Sequence, residues 1–174
     1  MKIAIIGREL NLRGGISRHN AELVKWLSSW GHEVHVFANT IEDVEENIVF
    51  HKIHMIRADF LVKRRKIAWA TLLQIYSWSF LSRWLFNYDQ FDIIHVCGDS
   101  LAKFDIITAH SCHKASLELS KQNVKGPVEW LKKNLNPLHF FILKIEKYNY
   151  KKGNYKKIIA VSEGVKQELI DYYR

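Results

Sequence analysis

The feature that most constrains the fold is a short apolar run at the start of the chain. Residues Lys2–Ile6 are rich in branched side chains and are followed directly by Gly7. An apolar run without polar alternation is typical of a strand buried on both faces, as in a parallel sheet. The start of the sequence therefore predicts a parallel sheet, whose crossover connections are expected to be right-handed.

The rest of the chain alternates predicted helices with predicted strands. Apolar residues at helical spacing follow Gly14 and Gly15, and Gly31 predicts the end of this first helix. Further strands are predicted at 33–38, 48–56, 92–96, 104–109 and 156–161, and further helices at 67–86, 114–122, from Pro127, at 138–152 and after Ser162. This order predicts an α/β fold with a Rossmann-like, doubly wound parallel sheet. Residues 1–174 contain no linker that would divide them into two domains.

The charge of the chain predicts an anionic partner without choosing one. Lys and Arg number 26 against 18 Asp and Glu, which gives a formal net charge of +8. Nucleotide diphosphates, phosphorylated glycans and anionic lipids all fit this charge. Nucleic acid is not expected as a partner, because the sequence contains no recognisable nucleic-acid reading module. Two cysteines and an N-terminus without a signal-peptide pattern predict a cytoplasmic protein.

The segment 67–86 has nearly the length of a membrane span and is mostly apolar. Its polar residues recur at helical spacing and therefore predict a packed or interface-lying helix rather than a span. They are Thr71, Gln74, Ser77, Ser82 and Arg83.

The loop from Gly7 to Gly15 joins the first predicted strand to the first predicted helix. Open α/β sheets bind ligands at this edge, and glycines at a helix start let backbone N–H groups approach a phosphate closely. A tight turn that needs positive φ explains the glycines equally well. The loop lacks both the dinucleotide fingerprint G-x-G-x-x-G and the phosphate-loop motif G-x-x-x-x-G-K-[ST].

Histidines and cysteines follow two neighbouring predicted strands, in segments 95–99 and 108–113. These loops should converge on the glycine loop, so that His110 could donate a hydrogen bond to a ligand there. A structural role for this histidine is the alternative. Zinc ligation is disfavoured because the spacing lacks C-x₂-C and H-x₃₋₅-H pairs, and Cys112 is expected to be buried and inert rather than a nucleophile.

A basic run precedes the apolar helix and is followed by tryptophans. The run consists of Lys63, Arg64, Arg65 and Lys66, and the tryptophans are Trp69, Trp78 and Trp84. Mixed tryptophan and basic residues are typical of proteins that rest on anionic lipid headgroups. A solvated charged face is the alternative explanation.

Taken in order along the chain, these segments resemble the N-terminal domain of glycosyltransferase family 4, whose members are retaining enzymes with the two-domain GT-B architecture. The resemblance extends over nearly the whole chain. It is carried by residues 2–5, 14–19, 22–23 with Leu27, 31–34, 92–95, 109–110, Glu146 and 158–162. Within the family, residues 138–162 resemble the corresponding region of lipopolysaccharide-core glucosyltransferases.

The resemblance implies the transfer of a hexose, with retention, from a nucleotide diphosphate sugar to a glycan or lipid-linked acceptor. Gly14, Gly15, Arg18 and Ser162 would bind the donor, and His110 would be the catalytic residue, with no metal required. The family's donor-binding domain would follow residue 174, so this chain is expected to be an inactive acceptor-side half, cytoplasmic or peripheral on the inner membrane face. The alternatives are a non-catalytic module that binds a membrane or partner, and a metal-dependent hydrolase.

Overall fold

The computed structural model describes residues 1–44, 47–56, 67–98, 100–124 and 126–174. The basic run Lys63, Arg64, Arg65 and Lys66 lies outside these residues, as does Asp99. The membrane role predicted for the basic run therefore stays a prediction.

The strands form a six-stranded sheet and a small two-stranded one. Their bounds are β1 (Lys2–Ile6), β2 (Glu9–Leu10), β3 (Glu33–Ala38), β4 (Thr40–Ile41), β5 (Ile48–Lys52), β6 (Ile93–Cys97), β7 (Ile106–Ala109) and β8 (Lys157–Ala160). The large sheet has the order β5-β3-β1-β6-β7-β8 and all of its pairs are parallel. The predicted doubly wound α/β sheet is thus confirmed. The short parallel pair β2-β4 was not predicted.

Six described helices connect these strands. Their bounds are α1 (Gly15–Ser29), α2 (Ile67–Trp84), α3 (His113–Gln122), α4 (Pro127–Asn134), α5 (Pro137–Asn149) and α6 (Glu163–Tyr173). Among them, none has the length and apolar character needed to cross a membrane.

The core lies on both faces of the sheet because β1 runs through its middle. Ala4 and Ile6 pack into one apolar cluster, which includes Trp78 and Ile107. Ile3 and Ile5 pack into a second cluster with residues of α1 and β3. Successive side chains of a strand point to opposite faces, so an unbroken apolar run is what this position requires.

Gly31 ends α1 as the sequence predicts. Its φ of 79° lies in the left-handed region, where glycine has no steric penalty. The Gly31 N–H donates to the Ser28 carbonyl, at 2.9 Å, and the His32 N–H donates to the Leu27 carbonyl, at 3.2 Å. This pair of bonds is the Schellman arrangement, which satisfies the carbonyls at the helix end.

Side-chain caps start the last two helices. The Asn136 side chain accepts from the Leu138 N–H at 3.0 Å, just before α5, with Pro137 at the first helical position. The Ser162 hydroxyl accepts from the Val165 N–H at 3.2 Å, at the start of α6. Each side chain accepts a hydrogen bond from a first-turn N–H group that has no partner within its own helix. The helix starts predicted at these two positions are thereby confirmed.

Candidate active-site cleft

A cleft of about 200 Å³ opens at the carboxyl ends of β1, β6 and β7. The strand order reverses at β1, and ligands of open α/β sheets bind outside the carboxyl ends of the strands at such a point. Arg8 after β1, Gly98 after β6 and His110 after β7 line the cleft. Ile16, in the first turn of α1, lines it as well. The topology therefore brings Ile16 and His110 to one cleft, whereas Gly14 and Gly15 are not among its lining residues. The predicted role of the two glycines stays a prediction.

The start of α1 is open to an approaching anion. Gly14 precedes the helix with φ −106° and ψ 155°, so the alternative that the glycine pair serves a positive-φ turn is wrong. No side chain of the described residues caps this helix start. The Gly14 N–H donates weakly to Asn11 Oδ1, at 3.3 Å, and a Cβ built at Gly15 would have no neighbour within 4 Å. The first turn thus offers N–H groups beside open space.

His110 forms an edge-on contact with His19. Their ring centroids lie 5.0 Å apart with an interplanar angle of 79°. The Nε2 atoms of both rings are buried and have no hydrogen-bond partner among the described residues. Burial lowers the pKa of both imidazoles, and each also disfavours a charge on a neighbouring ring. A neutral His110 carries one ring donor and one ring acceptor for a ligand in the cleft.

His95 forms the third member of this histidine cluster. It is 6% exposed and its Nε2 lies 2.8 Å from Thr108 Oγ1. Burial lowers its pKa to about 4, with smaller contributions from the positive charges that His19 and His110 would carry. The segments that contain His95 and His110 were predicted to lie at the site, whereas no role was predicted for His19. The only available signal was that His19 follows Gly15 by one helical turn.

Acidification should destabilise the fold through His95. Because its folded pKa is depressed from 6.5 to about 4, its contribution is present above pH 6.5 and is lost as pH falls toward 4. We expect the free energy of unfolding to fall by about 2 kcal/mol from pH 7 to pH 5 through this residue. Urea unfolding at both pH values measures the change. His95→Gln should reduce the pH dependence by that amount. Equal pH dependence in His95→Gln and in the unmodified protein would contradict the assignment.

Glu146 holds the segment that follows His110. Its carboxylate accepts hydrogen bonds from the N–H groups of His113 and Lys114, in the first turn of α3, and from the Tyr173 hydroxyl at 2.7 Å. Burial raises its pKa, and these hydrogen bonds oppose that shift. The carboxylate meets the positive end of the α3 dipole. Glu146 therefore fixes the start of α3 three residues beyond His110, a role that the sequence did not reveal.

Residues 13–174 match the family model described as Glycosyltransferase Family 4. The chain belongs to glycosyltransferase family 4. The family predicted from the sequence is thereby confirmed.

This family 4 chain is also similar to the crystal structure of WaaG, a glycosyltransferase involved in lipopolysaccharide biosynthesis. The TM-score is 0.68 at 13% sequence identity, and the match covers 98% of this chain and 41% of the WaaG chain. The likeness shows a shared fold, and the chain spans less than half the length of WaaG. No curated protein matches the sequence.

Two other predicted site residues of the family 4 chain, Arg18 and Ser162, are not among the residues that line the cleft. Ser162 lines a separate cavity of about 190 Å³ next to α6, and its hydroxyl already caps that helix. Arg18 is exposed on α1. Their roles in donor binding stay predictions.

The cysteines of the family 4 chain are buried and protonated. Burial raises the pKa of Cys97 to about 12 and also raises that of Cys112, which is fully buried. A nucleophilic Cys112 is therefore unsupported. Among the described residues, no three His, Cys, Asp or Glu side chains could hold a metal ion together. The hydrolase alternative gains no support from this site.

Proposed function

We propose that this chain is the acceptor-side half of a hexosyltransferase. The enzyme transfers a hexose from a nucleotide diphosphate sugar to a glycan or lipid-linked acceptor, with retention of anomeric configuration. One observation carries the proposal: Ile16, in the first turn of the uncapped helix α1, and His110 line one cleft at the reversal of strand order. Membership of glycosyltransferase family 4 supports the reaction class.

The donor's diphosphate is placed at the start of α1. The N–H groups of the first turn and the positive end of the helix dipole favour a negative charge there. Gly15 leaves room for the phosphate oxygens because a side chain is absent. As the sugar leaves, negative charge develops on the diphosphate, and preorganised N–H groups stabilise that charge. Arg18 and Ser162 are proposed as further donor contacts.

His110 is proposed to bind the sugar that is transferred. His110 lines the cleft, and its buried Nε2 has no hydrogen-bond partner among the described residues. A sugar hydroxyl that reached this ring nitrogen would satisfy it. The lowered pKa keeps the ring neutral near pH 7. A neutral donor or acceptor orients a hydroxyl without placing a charge beside the departing diphosphate.

The remaining parts of the proposal concern the rest of the enzyme. A donor-binding domain completes the cleft, and this chain alone does not turn over substrate. The enzyme belongs with the lipopolysaccharide-core glucosyltransferases of cell envelope polysaccharide biosynthesis. It works in the cytoplasm, peripheral on the inner face of the membrane.

His110→Ala in the complete enzyme should lower kcat by about 10- to 100-fold, since a positioned hydrogen bond to the reacting sugar is lost. The assay is release of nucleoside diphosphate from a panel of nucleotide diphosphate sugars in the presence of acceptor. His54→Ala, at an exposed histidine outside the cleft, is the control and should retain full activity. Unchanged kcat in His110→Ala would refute the role of His110. A complete enzyme that turns over no nucleotide sugar would favour the non-catalytic module instead.

A further inference from the structure

Helix α2 presents aromatic side chains to the outside and serines to the inside. Leu73, Tyr76, Phe80 and Trp84 recur at intervals of three and four residues and are 44%, 53%, 50% and 67% exposed. We call these four residues the aromatic stripe. Residues at this spacing lie on one side of a helix. The ring centroids of Tyr76 and Phe80 are 6.3 Å apart, and those of Phe80 and Trp84 are 6.4 Å apart.

The opposite side of α2 is packed against the core and satisfies its polar groups internally. Ala70, Ile75 and Trp78 are buried there. The Ser82 hydroxyl is buried 2.9 Å from that of Ser100, and the Ser77 hydroxyl donates to the Gln74 carbonyl. Of the polar residues that the sequence predicts as a stripe, Ser77 and Ser82 are therefore turned inward, whereas Arg83 is exposed. The inner face of α2 packs against the core, and its outer face is apolar as well. An exposed apolar face of this kind indicates a contact with a membrane or another protein.

Helix α5 lies beside the aromatic stripe and adds positive charge. The Phe141 ring lies 5.3 Å from that of Tyr76 and thereby joins the two helices. The Lys144 ammonium lies 4.4 Å from the centre of the exposed Phe140 ring. Lys147 is exposed one turn farther along the chain. The only carboxylate within the bounds of α2 and α5 is Glu146, which is buried.

We infer that the aromatic stripe, with Phe140 and the lysines of α5, is a docking surface for an anionic lipid bilayer. Aromatic side chains settle at the boundary between headgroups and acyl chains, and lysines beside them attract anionic headgroups. The absence of exposed carboxylates on the described parts of α2 and α5 favours a negatively charged surface over a neutral one. The inference specifies where the membrane contact named under Proposed function lies, and its test does not depend on sugar transfer.

The test is flotation of the protein with vesicles of three parts phosphatidylcholine to one part phosphatidylglycerol. The triple variant Tyr76→Gln, Phe80→Gln and Trp84→Gln should bind at least about tenfold more weakly, because it loses the apolar contacts. Gln is a good helix former, and the replaced side chains are half or more exposed, so α2 should persist. Circular dichroism and urea unfolding of each variant verify this.

The chain supplies a matched control in Trp26 and Trp30. These tryptophans lie at the end of α1, with ring centroids 6.2 Å apart, and are 56% and 67% exposed. Trp26→Gln with Trp30→Gln should bind vesicles as the unmodified protein does. Vesicles of phosphatidylcholine alone should bind the unmodified protein less, and Lys144→Glu should weaken binding to anionic vesicles only.

Three outcomes would overturn the inference. The first is equal vesicle binding by the triple variant and the unmodified protein. The second is equal loss of binding in the triple variant and in the tryptophan control. The third is an unmodified protein that does not bind vesicles and sediments as a dimer, while the triple variant sediments as a monomer. A second copy of the chain would then cover the aromatic stripe. None of these outcomes bears on hexose transfer, which is measured separately with soluble donor.

Discussion

Gly15→Asp should reduce hexose transfer by the complete enzyme about 1000-fold, which is at the upper end for the loss of one preorganised anion contact. The substitution places a carboxylate in the first turn of α1, where the proposed site binds the donor's diphosphate. Two negative charges would then compete for the same N–H groups and the same end of the helix dipole. Steady-state kinetics with a saturating acceptor measure the loss.

The fold should survive this substitution and even gain slightly. The structure leaves open space at a Gly15 Cβ, and the backbone there has no positive φ. A carboxylate at a helix start contributes about 0.3–1 kcal/mol. Gly15→Asn has nearly the same shape without the charge and is the matched control. We expect it to retain much more activity than Gly15→Asp. Equal activities of the two variants would mean that no anion binds at this helix start.

Glu146→Leu should lower the free energy of unfolding by about 3 kcal/mol. The substitution leaves the N–H groups of His113 and Lys114 and the hydroxyl of Tyr173 without their common acceptor. Unpaired buried donors cost more than the net strength of the bonds they lose. Urea unfolding, extrapolated to zero denaturant, measures the difference.

Glu118→Leu is the matched control for this prediction. The Glu118 carboxylate also accepts from a tyrosine of α6, Tyr172, at 2.8 Å, and pairs with Lys114 on the surface. Exposed pairs contribute little, so this variant should lose much less stability than Glu146→Leu. Equal losses at positions 118 and 146 would refute the special role of the buried carboxylate. Glu146→Gln, which keeps one acceptor oxygen, should lie between the two.

The sequence predicted the architecture well because strand burial leaves a direct pattern. The run Lys2–Ile6 was predicted as a strand buried on both faces and lies inside the sheet, and Gly31 was predicted to end the first helix and does so with a positive φ. Strand lengths were less predictable. The segment 48–56 pairs with β3 only as far as Lys52, because β3 itself ends at the partner residue Ala38. The last bond between the two segments runs from the Ile53 N–H to the Ala38 carbonyl. The pair β2-β4 has two residues in each strand, too few for a periodic pattern.

The candidate site was predictable where it follows from topology and unpredictable where it depends on contacts between distant segments. His110 and Ile16, in the first turn of α1, share a cleft because parallel strands end at one edge of the sheet. The contacts of His19 with His110 and of Glu146 with α3 join segments far apart in the chain. The serines of α2 illustrate the same limit. Their hydroxyls form hydrogen bonds to nearby groups, so these side chains can point into the core. The positions of polar residues in the sequence do not reveal this.

The carboxylate of Glu146 is a junction between two ends of the domain. It accepts a hydrogen bond from the start of α3, which follows His110. It also accepts one from the hydroxyl of Tyr173, the last residue of α6. A small tilt of α6 would therefore displace the segment between His110 and α3 through these two hydrogen bonds, without bending the sheet. The buried Glu146 carboxylate thus couples the position of that final helix to the segment that follows His110.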